Sequence, residues 1–400
     1  MHLRPAEKGA TATQRIELAE IFRTYAHAIR STATVQERRV IDAIQACRTA
    51  ALGGHLERCD RCHAERAVYH SCGNRHCPKC QTLAKQRWID ARREELLPVE
   101  YFHVVFTLPH ALNPAAQARP RLLYNLLFQS AAATLQAFGH DTKYLGGQIG
   151  VTAVLHTWGQ NLSSHLHLHC IVPGGALAAD ESRFVRARRG FLFPVRALSK
   201  VFRAKFLEGL RDARAQLPPE LHLPMDVLQG TPWVVYAKPS FQGPSAVIEY
   251  LGRYTHRIAL SNDRLLALRD GVVHLRWRDY ADGAKVKVLK LPAPELLRRF
   301  LLHVLPPGFV RIRHFGFLAN NHRAAKVKRC LELLDAPPPA AQPPQNESAQ
   351  DRILRATGVD VTRCPTCDRG AMRRVAELPR LQGTLPRPRP PPLKIGPVHG

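Results

Sequence analysis

The sequence predicts an α+β protein: a mainly antiparallel sheet with flanking helices, preceded by a small helical and cysteine-rich region and followed by a proline- and arginine-rich tail. Three observations predict it. Between residues 100 and 320, short β-type apolar runs alternate with helix-length segments, the texture of an α+β domain. Five of the ten cysteines fall between residues 59 and 80. Thirteen of the 31 prolines lie beyond residue 336, in runs such as PPPAAQPP and LPRPRPPPL, a composition that reads as an extended, disordered arm.

The elements follow in order. Residues 1–54 read as helices. Thr11 and Thr13 are candidate caps for a segment in which Ile16, Leu18, Ile21 and Phe22 recur at helical spacing. A second helix holds Val40, Ile41, Ile44 and Cys47 and stops at Gly53-Gly54. Residues 55–98 comprise the cysteine-rich knot and a charged exit helix, LAKQRWIDARREELL. Residues 99–325 read as one catalytic-sized domain, with a strand YFHVVFTL closed by Pro109 and a helix over 115–138. Two strands then follow closely, at 150–158 and 165–172, around a polar turn with Asn161, Ser163 and Ser164. Further elements are a helix at 195–215, a strand at 232–238, a helix at 243–254, and strands at 271–278 and 285–291. Residues 326–400 hold a C-terminal helix, a lone CxxC and the tail.

Composition limits the function. The chain of 400 residues carries 58 Lys+Arg against 32 Asp+Glu, a formal charge of +26, and is 45% hydrophobic. That is enough apolar material for a real core, which excludes a disordered polycation. No run of about 18 apolar residues suggests a membrane span, and MHLRPAEKGATATQ lacks the apolar region of a secretory signal. The expectation is a cytoplasmic protein whose partner is a polyanion, DNA or RNA. A membrane surface fits less well, since no basic amphipathic anchor stands out.

The knot reads CDRCHAERAVYHSCGNRHCPKC. Each CxxC turn points two sulfurs to one side, and two such turns enclose a tetrahedral zinc site. The expected structural ligands are Cys59, Cys62, Cys77 and Cys80, with Cys72 or His76 as alternatives and His63 and His70 nearby. Four thiolates leave no open position, so this zinc is structural. Arg58, Arg61, Arg66, Arg75 and Lys79 surround it, and Arg75 and Lys79 are candidate DNA contacts. A second pair, Cys364 and Cys367 in RCPTCDRGAM, has no partner pair near it in sequence and reads as a degenerate or intermolecular site.

His165, His167 and His169 alternate at period two. On a strand their imidazoles share one face while Leu166, Leu168 and Cys170 face the core. Three in alternation form a metal platform. If the preceding strand pairs as a hairpin, His156 lies across from His167, so His156 and His165 are both candidates for a third ligand. Imidazole suits zinc or a transition metal, whereas a DNA-processing site would use Mg²⁺ or Mn²⁺ with the scissile phosphate as a further ligand.

Residues 250–257 read YLGRYTHR, which places Tyr250 and Tyr254 four apart, on one face of a helix, flanked by Arg253 and Arg257. A tyrosine near a metal-bound phosphate can attack it and form a covalent phosphotyrosine. Taken in order, SCGNRHCPKCQ, TWGQNL with HLHLHCIVPGGAL, EYLGRYTHRIALSN and RIRHFGFLAN resemble the two-tyrosine HUH rolling-circle transposases of bacterial insertion sequences, the insertion-sequence ninety-one family. HUH denotes His-hydrophobic-His, matched by His167-Leu168-His169.

The resemblance implies an HUH-endonuclease-like sheet preceded by a transposase zinc-binding domain. It implies metal-dependent cleavage of single-stranded DNA at element ends, a 5′-phosphotyrosine, and rejoining at a target. His167 and His169 match the metal pair, Tyr250 and Tyr254 the nucleophiles, and Arg253 and Arg257 are candidate DNA contacts. It implies Mg²⁺ or Mn²⁺ for catalysis, Zn²⁺ for structure, and action on DNA in the bacterial nucleoid. The competing readings are a non-catalytic zinc-dependent regulator derived from a transposase and a replication initiator or relaxase with the same chemistry.

Overall fold

The computed structural model describes residues 16–93, 95–240, 252, 259–280, 282–336 and 347–381. The N-terminal helices are α1 (Leu18–Tyr25), α2 (His27–Arg30) and α3 (Val35–Ala46). The expected caps Thr11 and Thr13 lie outside the described residues; α1 instead starts on a capping box between Glu17 and Glu20. Thr34 does the same for α3, its hydroxyl accepting the Glu37 N–H while the Glu37 carboxylate accepts the Thr34 N–H. Such a cap contributes about 1 kcal/mol. The predicted apolar stripe Leu18, Ile21, Phe22, Val40, Ile41 and Ile44 is fully buried. A hairpin of β1 (Gly54–Cys59) and β2 (Glu65–Tyr69) follows, and then helix α4 (Thr82–Arg93).

The central sheet begins with β3 (Tyr101–Thr107). Helices α5 (Asn113–Ala118) and α6 (Pro120–His140) lead to a long hairpin, β4 (Gln148–Trp158) and β5 (Ser164–Pro173). Short strands β6 (Gly175–Leu177) and β7 (Phe184–Arg186), helices α7 (Val195–Asp212) and α8 (Met225–Gly230), and β8 (Val235–Ser240) complete this part. The order β7-β6-β4-β5-β3-β8 is antiparallel throughout. Alternation decides the faces. Leu166, Leu168, Cys170 and Val172 of β5 join Phe102, Val104, Phe106 and Leu155 in a core roofed by α6 and α7. Each such side chain removed from water contributes about 1.5–3 kcal/mol. The histidines of β5 therefore stand on the opposite face.

Residues 265–301 depart from the expected single domain over 99–325. Strands β9 (Leu265–Arg269), β10 (Val272–Asp279) and β11 (Lys285–Pro292) form their own antiparallel sheet, followed by α9 (Ala293–Leu301). Val273, Leu275, Leu291, Leu296, Leu297 and Phe300 share one core with the N-terminal helices, and Phe22 meets Phe300 edge-on with ring centroids 5.7 Å apart. Neither half has enough apolar surface to bury alone, and each is the other's second layer.

The chain then returns to the main sheet. β12 (Ile312–Gly316) pairs with β4, and α10 (Arg323–Leu333) covers part of the histidine-bearing face through Val327 and Cys330. Gly316 closes this pairing at φ +64°, where a Cβ would collide with the Ile149 carbonyl oxygen, so no other residue fits. Last come α11 (Ala349–Thr357) and β13 (Met372–Leu378), and β13 pairs with β1 to give the order β13-β1-β2. Residues 347–381 thus depart from the expectation that most of 336–400 is an extended, disordered arm. The proline runs at 337–346 and 382–400 are outside the described residues. The segment between them carries a Ser348–Asp351 capping box and a strand that completes the N-terminal sheet.

Candidate functional site

His156 of β4 sits directly opposite His167 of β5, and Val154 opposite His169. A register slip of one residue would have sent every imidazole into the core. As paired, the ligating nitrogens of His156, His167 and His169 all lie within 4.8 Å of one another. Of the two candidates for a third ligand, the structure brings in His156. His165 also lines the cavity but is not in that group, its Nδ1 lying 3.1 Å from Nε2 of His110.

The tautomers are set by the hydrogen bonds that the rings make elsewhere. Nδ1–H of His167 donates to the His165 carbonyl at 2.9 Å, which leaves Nε2 of His167 as its basic nitrogen. Nδ1 of His169 lies 2.8 Å from Nε2 of His103, a buried residue of β3 whose ring stacks on it 5.0 Å away. Burial, and then the nearby His165, pushes His167 down to about 4. Burial, followed by His156 and His167, holds His169 well below the usual imidazole range. Neutral imidazoles are the form that binds metal.

The three rings open into a cavity of about 290 Å³ bordered also by Trp158, Gln160, Arg264 and Tyr280. Trp158 stacks on His156 at 4.5 Å, and Tyr280 is 68% exposed. Arg264 is held by the carbonyls of Ala259, Arg276 and Gln160. Among the described residues the cavity wall has no carboxylate. A dication held by three imidazole nitrogens would keep its full positive charge, and an anionic ligand such as a phosphate is the electrostatic complement. The donor set thus fits a divalent ion that keeps open positions.

The cysteines correct the sequence reading. Cys77 and Cys80 are grouped with Cys47 and Cys72, and Cys59 and Cys62 with Cys364 and Cys367; within each group the sulfurs lie within 4.8 Å. The expected union of the two CxxC pairs does not occur, because β1 carries Cys59 to the far end of its hairpin while Cys77 and Cys80 stay beside α3. Of the two alternatives to that set, Cys72 belongs to the first group. His76 does not: it is buried, its Nδ1–H donates to Asn74 and its Nε2 accepts the Leu305 N–H at 3.2 Å. Cys47 gave no sequence signal, being a single cysteine at a helix end.

The proposed DNA contacts fare differently. Arg75 donates to the carbonyls of Phe309 at 2.7 Å and Pro306 at 3.3 Å, which turns its guanidinium toward the interior. Lys79 pairs with Glu17 at 2.6 Å. Tyr250, Tyr254, Arg253 and Arg257 lie outside the described residues. Gly252, between the tyrosines in sequence, is helical and abuts α4 so closely that a Cβ would lie 2.3 Å from Ile89 Cδ1. His103 was missed by sequence reasoning; its signal was a lone imidazole in the apolar run YFHVVFTL. No helix among the described residues is long and apolar enough to cross a membrane.

Comparison with known proteins agrees with this layout. A family model described as "Transposase zinc-binding domain" matches residues 18–108, and one described as "Putative transposase" matches residues 150–326. "Putative transposase y4qJ" of Sinorhizobium fredii is 46% identical over 373 residues, covering 89% of this chain and 94% of that protein. "Transposase for insertion sequence element IS801" of Pseudomonas savastanoi pv. phaseolicola is 26% identical over 351 residues, covering 83% of this chain and 82% of that protein. No solved structure matches.

Proposed function

We propose that this chain, which belongs to the IS91 family of insertion-sequence transposases, cuts single-stranded DNA at element ends and rejoins it at a target through a covalent 5′-phosphotyrosine. The observation that supports this most is the histidine cluster: three imidazoles converge on one open cavity whose described wall has no carboxylate, in a strongly basic protein.

In this reading His156, His167 and His169 hold Mg²⁺ or Mn²⁺, which supplies Lewis-acid polarisation of the phosphoryl oxygens. Tyr250 or Tyr254 is the nucleophile. Its phenolic oxygen forms a bond to phosphorus as the bond from phosphorus to the 3′ oxygen breaks, and that oxygen leaves as a free 3′-hydroxyl after taking up a proton. The phosphodiester energy is conserved in the tyrosyl linkage, so an incoming 3′-hydroxyl reverses the step without hydrolysis. Two tyrosines let one hold the first 5′ end while the other cuts again. Arg253 and Arg257 are assigned to the DNA backbone, and the +26 charge makes binding steeply salt-dependent. The protein acts on DNA in the bacterial cytoplasm.

The test uses purified full-length protein with Mn²⁺ and a single-stranded oligonucleotide spanning the element's own end. A protein adduct on the 5′ side is expected, and it disappears in the Tyr250→Phe, Tyr254→Phe double variant. An adduct that persists in that variant overturns the nucleophile assignment. Equal cutting of duplex DNA with no adduct overturns the mechanism.

A further inference from the structure

The two cysteine groups differ in where their ligands come from. Cys47, Cys72, Cys77 and Cys80 all fall inside the matched zinc-binding domain, whereas Cys364 and Cys367 lie beyond the residues matched by either family model. Yet the two turns of the second group share one hydrogen-bond pattern, the second with one more residue in its closing loop. Cys59 N–H donates to the Ala64 carbonyl at 2.9 Å, and Cys364 N–H to that of Gly370 at 2.8 Å. His63 N–H donates to the Cys59 carbonyl and Asp368 N–H to the Cys364 carbonyl, at 3.2 and 3.0 Å. The residue after each second cysteine is left-handed, His63 at φ 59° and Asp368 at φ 55°. In each turn an amide donates to the first sulfur, Arg61 to Cys59 and Thr366 to Cys364, both at 3.4 Å.

The turns face each other with Cys59 and Cys367 sulfurs 3.7 Å apart, and Cys62 and Cys364 sulfurs likewise 3.7 Å apart. A disulfide would need about 2.05 Å. Four sulfurs at about 2.3 Å from one tetrahedral zinc would stand roughly 3.8 Å apart. Gly370 leaves the room: a Cβ there would lie 2.3 Å from the Cys59 sulfur. The flanking strands are already joined, from Gly54 opposite Leu378 to Cys59 opposite Met372.

We propose that Cys59, Cys62, Cys364 and Cys367 bind a second structural zinc ion, forming a two-knuckle zinc ribbon assembled from opposite ends of the chain. The ion fastens residues 347–381 to the zinc-binding domain. Its mechanical reach extends further, because Arg355 of α11 grips Asp90 of α4 at 2.9 Å, and the adjacent Ile89 is the residue against which Gly252 packs. The C-terminal segment is thus a brace on the helix against which Gly252 packs, and the N-terminal sheet is complete only once residues 372–378 have been made.

The test is metal content and protection of the full-length protein. Wild type is expected to hold two zinc ions per chain; Cys364→Ser, Cys367→Ser is expected to hold one, and so is Cys59→Ser, Cys62→Ser. Trypsin should cut within 347–381 about tenfold faster in the first variant, since metal-binding energy there is folding energy. A second measurement needs no variant. In native wild type, Cys364 and Cys367 should resist alkylation until a chelator removes the metal. One zinc in wild type, two in the Cys364/Cys367 variant, or alkylation of these thiols at the same rate with and without metal overturns the proposal.

Discussion

The histidine cluster and the two cysteine clusters each gather their ligating atoms within 4.8 Å of one another, but they are built in opposite ways. The histidines come from two adjacent strands of one hairpin, on a rigid sheet whose other face is the main core. The cysteines come from turns and helix ends scattered from residue 47 to residue 367. Three ligands against a cavity leave room for a reactant; four thiolates around a point leave none. The difference teaches that the sheet is held by its own core with or without a metal, whereas the second cysteine group has little core of its own, so that metal binding there would be folding energy. The second cysteine group has Met372 as the only buried residue besides cysteine in its cluster among the described residues.

The largest expected effect separates these roles. His167→Ala with His169→Ala should lower DNA nicking by at least about a thousandfold, several kcal/mol of transition-state stabilisation, with zinc content and thermal unfolding close to wild type. Cys47→Ser with Cys77→Ser should do the reverse, losing a zinc ion and the cooperative unfolding of the N-terminal region. Metal analysis and a melting curve on the same preparations decide the matter. A histidine variant that unfolds, or a cysteine variant that keeps its zinc and its melt, would erase the distinction.

The same contrast explains what was legible in the sequence. A period-two histidine run states its own geometry, because a strand fixes which side chains share a face, and so His167, His169 and the core positions Leu166, Leu168 and Cys170 could be assigned at once. His156 needed only the correct register. The cysteine pairing was not legible, because CxxC spacing specifies a turn and not the partner of that turn. The Cys59 turn meets one that is 302 residues away, through a strand pairing between β1 and β13 that no local pattern announces. The second core had the same obstacle: Phe22 and Phe300 each look like ordinary helix core, and only tertiary packing makes them neighbours.

A smaller effect tests the seam between the two regions, where His303 stands. Its Nε2–H donates to the Leu162 carbonyl at 3.2 Å, and its Nδ1 accepts from the Thr157 hydroxyl at 3.2 Å. Burial pushes its pKa down to about 4, because charging the ring there would remove it from water without a counter-charge. An unfolded histidine titrates near 6.5. Between these values the unfolded chain binds the proton and the folded chain does not, so stability falls as pH drops from about 6.5 towards 4. The full span corresponds to about 3 kcal/mol for this residue. Urea unfolding at pH 7.5 and pH 5 should show about 2 kcal/mol of this loss in wild type and a shallower one in His303→Gln, which bonds without titrating. Equal acid sensitivity in the two proteins would remove His303 from the seam.

The smallest expected effect lies inside the histidine site and asks how much of it is ligand and how much support. His103 is not among the residues lining that cavity, yet its Nε2 is 2.8 Å from His169 Nδ1. If His103 accepts the Nδ1 proton, it fixes the His169 tautomer and leaves Nε2 facing His156 and His167. Outer partners of this kind are worth about 10–100-fold in metal affinity. His103→Ala should therefore weaken Mn²⁺ binding by about that factor, measured by titration of the free ion by electron paramagnetic resonance. His103→Gln, whose amide oxygen can accept the same proton, should recover part of the loss. A cavity effect alone would lower stability in both variants without separating their Mn²⁺ affinities. The split between alanine and glutamine is thus the readout that a packing role would not produce. Equal affinity in all three proteins would leave the ligand orientation to the sheet alone, making the contrast with the metal-dependent cysteine regions sharper still.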